Sequence, residues 1–121
     1  MQTSAASTAP FTPIIRAAID DLCQELNRRT KLGGLTAEYG ATDCGKVHDV
    51  SLCIQASEDG GPFESFPLVT IMADMKNSGV FMVADSGCDP LAECFSMAHA
   101  LNAARYEVMR THRRSVEDAL S

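Results

Sequence analysis

The sequence predicts an α+β domain: a four-stranded antiparallel meander preceded by one helix and followed by a long one, in the order α-β-β-β-β-α. Three observations carry that expectation. Apolar residues recur with a period near 3.6 at both ends of the chain, and the middle has a period of two. Short turn-forming segments separate the middle runs, so strands adjacent in sequence are expected to be adjacent in the sheet.

In the first helix, Thr12 is a cap and Pro13 suits the first helical position, where its missing N–H is not needed. Ile15, Ala18, Ile19, Leu22 and Leu26 form one apolar stripe. Arg28, Arg29 and Lys31 crowd the last turn, where cations offset the negative end of the helix dipole, and Gly33-Gly34 stop it. Two half-buried strands follow, one with Leu35, Ala37, Tyr39 and Ala41 on one face, the other with His48, Val50, Leu52, Ile54 and Ala56. Asp43-Cys44-Gly45-Lys46 joins them, and Glu58-Asp59-Gly60-Gly61-Pro62 forms a longer loop. Phe66 to Met75 and Val80 to Asp85 are the third and fourth strands, linked by Lys76-Asn77-Ser78-Gly79. Neither has a clean polar face: Leu68 and Met72 oppose Val69, Ile71 and Ala73, while Phe81 and Val83 oppose Val80, Met82 and Ala84. Asp89-Pro90 is read as the start of the last helix, which runs to about Leu120 with Leu91, Cys94, Phe95, Ala98, Leu101, Arg105 and Val108 down one side. The expected core joins Ile15, Ile19, Leu22 and Leu26 to Val50, Leu52, Ile54, Ile71, Leu91, Phe95 and Ala98.

A chain of 121 residues is one domain's worth, and 45% hydrophobic with 21% charged residues excludes a disordered or fibrous protein. Residues 1–12 read as a mobile tail anchored at Phe11, and 13–121 as a single α+β domain. No apolar run approaches the roughly 20 residues that span a bilayer, and the first residues form neither a signal nor a transit peptide. A net charge of −6 argues against membrane association and against nucleic-acid affinity built on phosphate neutralisation. Five cysteines without a Cys-x-x-Cys pair are no disulfide framework. They suit reduced thiols and a cytoplasmic address.

Few constellations suggest chemistry. Cys88, read as lying just before a helix, could be a low-pKa nucleophile, but Asp85 and Asp89 flank it and no local His is available as a base. Cys44, His48 and Cys53 with Cys88 or Cys94 lack the close ligand pairs of a zinc site, so neither a metal nor a cofactor is expected. Glu38 to Glu93 holds ten acids against two bases, a net of −8, suited to solvation or to meeting a basic partner. Arg110, Arg113 and Arg114, with Arg105 and His112, could form a basic ridge, though without aromatics on which bases would stack. These readings converge on a small acidic, non-enzymatic protein-binding module, an adaptor, chaperone or inhibitor that occupies the surface of a partner protein of unknown identity. The expected binding residues are Leu68, Met72, Phe81, Val83, Asp49, Arg110, Arg113 and Arg114, and the expected assembly is a homodimer on the hairpin of strands three and four with the final helix. A thiol-dependent enzyme using Cys88, and nucleic-acid binding through the last helix, are the alternatives.

Overall fold

In the computed structural model the chain runs through α1 (Pro13–Arg29), β1 (Thr36–Thr42), β2 (Val47–Ala56), β3 (Glu64–Asp74), β4 (Phe81–Asp85), β5 (Pro90–Cys94) and α2 (Met97–Leu120). The structure describes residues 10–30, 34–42, 44–56, 64–74, 76 and 79–120, without the side chains of 55, 56, 64 and 114–120. The expected tail at 1–9, the loop at 58–62, the stop at Gly33 and the central residues of the Lys76–Gly79 turn lie outside the described residues. The fold is α+β, and its sheet is an antiparallel meander in the order β1-β2-β3-β4-β5. Among the described residues no helix is long and apolar enough to cross a membrane.

α1 follows the sequence signals at its start, but it ends at Arg29, before Lys31 and the expected Gly33-Gly34 stop. The Thr12 hydroxyl accepts from the Ile15 amide at 3.3 Å, Pro13 opens the helix, and Arg28 and Arg29 occupy its last turn. Thr30 caps the other end, its buried hydroxyl donating to the Leu26 carbonyl at 2.7 Å.

The sheet has one strand more than expected, and the difference lies at Asp89-Pro90. The Asp85 carboxylate accepts from the Gly87 and Asp89 amides, both at 2.9 Å, while the Cys88 amide donates to the Asp85 carbonyl at 3.0 Å. These bonds close a β-turn with Cys88 at φ 65°, and the chain leaves it as an edge strand paired with β4. A proline is tolerated at the first residue of an edge strand, where no ladder donor is missed. α2 therefore begins at Met97, with Ser96 as cap: its hydroxyl accepts from the His99 amide at 3.2 Å. The helical phase expected for 91–98 is lost with it. Leu91 and Phe95 are exposed, and so is Ala98, where a core position was expected.

Both helices cover the same sheet face. Ile19, Leu22 and Leu26 of α1 and Ala100, Ala104 and Val108 of α2 pack in one core with Val50, Leu52, Val69, Ile71, Ala73, Phe81 and Val83, with Ile15 and Ile54 partly buried against it. A two-pronged ion pair ties the helices together, Arg105 reaching both oxygens of Glu25 at 3.1 and 3.2 Å. The Arg105 and Arg29 hydrogen bonds hold the Glu25 carboxyl below its ordinary pKa.

Candidate functional site

The second face of the sheet is covered by neither helix, and strand register dictates what it presents. One lateral row crosses all five strands: Gly40, Asp49, Met72, Met82 and Glu93, each paired with the next. The two methionines are direct cross-strand neighbours in its middle, half-buried, with a carboxylate on either side. A Cβ on Gly40 would stand 3.2 Å from Asp49 Oδ1, so glycine lets the Asp49 carboxylate lie over the β1 backbone. A shallow depression of about 310 Å³ surrounds the methionine pair, lined by Val47, Met72, Asp74, Val80, Met82 and Glu93.

Beside it the face is polar. Ser51 and Thr70 share a hydrogen bond at 2.8 Å across β2 and β3, and Ser65 donates to Glu38. Glu38, Asp49, Ser51, Cys53 and Ser65 line a second depression of about 240 Å³. Burial pushes the Cys53 pKa up, and the thiol itself is turned toward the Ser51 carbonyl at 3.7 Å.

The structure divides the predicted binding residues. Met72 and Asp49 lie together on the open face. Phe81 and Val83 are in the chain's own core beneath the helices, and Leu68 sits in the bulge that shifts the β2–β3 register, partly buried against the same core. Arg110 holds both oxygens of the buried Glu107, at 2.9 and 2.8 Å, and Arg113 is exposed further along α2. The side chain of Arg114 lies outside the described residues. Since Arg105 and Arg110 are committed to carboxylates, the basic ridge is weaker than its sequence suggests. Cys88 lies in the β4–β5 turn and not at a helix start, so no helix dipole acts on it. His48 is on the covered side, paired with Ala73 and opposite in face to Cys53. Among the described residues no group of three His, Cys, Asp or Glu side chains is placed to hold a metal ion.

Met82, Asp74 and Glu93 complete the site although sequence analysis did not single them out. Alternation along β4 already set Met82 apart from Phe81 and Val83, but only the register puts it beside Met72. Compared with protein-family models, with curated proteins and with solved structures, the chain matches none.

The cysteines yield a measurable expectation. Cys23, Cys53 and Cys94 are buried, whereas Cys44 and Cys88 are exposed. Desolvation, followed by the charges of Asp20 and Cys53, pushes Cys23 from 9.0 up to about 11, and burial raises Cys94 as well. Alkylation of the native chain at pH 8 is therefore expected to stop at two adducts, on Cys44 and Cys88, with five after denaturation. A raised folded pKa also means that the unfolded chain loses its thiol protons first as pH rises. The stabilisation is complete below pH 9 and is lost between 9 and about 11, amounting to on the order of 2 kcal/mol for Cys23. Five adducts on the native chain, or a flat denaturation midpoint over that range, would contradict this assignment.

Proposed function

We propose that the chain is a small acidic, non-enzymatic module that binds a partner protein on its open sheet face, and that it works as a homodimer. The observation that carries the first half is the Met72–Met82 pair framed by Asp49, Asp74 and Glu93. Methionine is unbranched and polarisable, so it packs against irregular apolar shapes and recurs on adaptable binding surfaces. Carboxylates around it select a partner whose apolar anchor is flanked by Lys or Arg, and they steer its approach. A helix or loop of that kind, presented by a basic protein, is the occupant this chemistry fits. Occupying such a surface is how an adaptor, chaperone or inhibitor acts.

The test is affinity capture from the source cell with the native chain and with a Met72→Asp/Met82→Asp double variant. A basic protein retained by the first, lost with the second and eluted by high salt supports the reading. The same proteins on both, or proteins retained regardless of salt, would refute it.

A further inference from the structure

We propose that β5 and the flank of α2 beside it form the seam of a two-fold dimer of this chain, an inference that rests on the homodimer half of the proposed function and locates its contact. β5 is the last strand of the sheet, and among the described residues no strand pairs with its outer edge. Such an edge presents backbone donors and acceptors that another strand can complete. Large apolar side chains left in solvent gather at this end of the molecule: Leu91 is 44%, Phe95 69% and Tyr106 68% exposed. Between strand and helix runs a groove of about 290 Å³, lined by Leu91, Ala92, Ala103 and Tyr106 and ending at the Glu107–Arg110 pair. β1, the other edge, is equally unpaired among the described residues but lacks the exposed apolar side chains. β1 reads Thr36-Ala37-Glu38-Tyr39-Gly40-Ala41-Thr42, and Tyr39, its one large apolar residue, packs against the core.

Area and charge select the occupant. At roughly 200 Å² for each large side chain, the exposed parts of Leu91, Phe95 and Tyr106 come to on the order of 350–400 Å². That is about half of the roughly 800 Å² each partner contributes to a standard interface. The five residues of β5, Pro90 to Cys94, and the exposed Ala98 and Asn102 are available for the remainder. A strand pairs antiparallel with its own copy across a two-fold axis, so one short edge serves both chains without a second, different surface. The seam carries Glu93 and the paired Glu107 against Arg110, and its groove is mainly apolar. Asp49 on β2 and Asp74 on β3, further into the open face, would instead meet their own copies as like charges if two chains docked face to face. A second copy therefore belongs at β5, which leaves the acidic face for the basic partner.

Light scattering at micromolar concentration is expected to give twice the 13.0 kDa chain mass. Leu91→Glu/Tyr106→Glu, at two exposed positions, should weaken the dimer at least 100-fold and leave the far-ultraviolet circular dichroism of the monomer unchanged, while Met72→Asp should keep the dimer intact. Hydrogen exchange on the native chain asks the same question without a substitution: amides of residues 91–94 should slow as concentration rises. A 13.0 kDa native chain at every concentration overturns the homodimer and its seam together. A dimer that survives the edge variant, or β5 amides indifferent to concentration in a chain that does dimerise, overturns the seam alone.

Discussion

Val83→Asp is expected to abolish folding, whereas Met72→Asp, on the neighbouring strand of the same hairpin, is expected to leave the chain folded. Val83 pairs with Ile71 and is fully buried beneath the helices. An aspartate there has no cation within the apolar cluster, and burying an unpaired carboxylate costs at least several kcal/mol, against a total stability of about 5–15 kcal/mol for a domain of this size. Met72 points the other way. Its carboxylate substitute would remain in contact with water, and the added repulsion from Asp49 across the strand pair is worth about 1 kcal/mol or less. Far-ultraviolet circular dichroism and a thermal melt distinguish the two variants. Loss of structure in the Met72 variant, or a native spectrum from the Val83 variant, would mean that the helices cover the opposite face.

That face could have been traced through the sequence. Alternation marks Val50 and Leu52 as the apolar side of β2, and antiparallel pairing carries that side to Ile71 and Val69 and on to Val83. What alternation along one strand does not reveal is that β3 and β4, apolar on both sides, divide unequally: Phe81 and Val83 go inward, while Met72 and Met82 stay half-open. The β2–β3 bulge also takes Leu68 off the open face, and a bulge adds one residue without announcing itself in the periodicity. The missed fifth strand has a different origin. Asp89-Pro90 carries the same cap-and-proline pattern as Thr12-Pro13, yet at Thr12 the cap side chain bonds into the helix, whereas at Asp89 the backbone amide is taken by the Asp85 carboxylate. The Asp85-Ser86-Gly87 run was the local sign of a turn, and the ladder to β4 decided in its favour, as sheet pairing overrides local propensity. The methionine pair depends on long-range register, so one member was legible and its neighbour was not.

Phe11→Ala is expected to cost about 3 kcal/mol or more, although Phe11 precedes the first helix. Read from sequence, it anchors a tail. In the structure it is a full member of the core, 1% exposed. Its ring meets Tyr39 edge-on with centroids 5.7 Å apart and planes at 68°, a geometry that adds to simple burial. Its carbonyl accepts from Arg16 Nε at 2.9 Å, and the same guanidinium lies 4.0 Å from the centre of the Tyr39 ring, so one arginine fixes the chain entering α1 and stacks on β1. Truncation to alanine removes the ring and leaves a void between α1 and β1. One effect works the other way. The buried Tyr39 hydroxyl has no hydrogen-bond partner among the described residues, and water admitted by the void would satisfy it, which places the loss in the lower part of the roughly 3–5 kcal/mol range for phenylalanine truncations. Ile14→Ala, three residues further on and 83% exposed, is the matched control and should change stability by no more than about 0.5 kcal/mol. Urea denaturation of both variants measures the difference, and equal midpoints would remove Phe11 from the core.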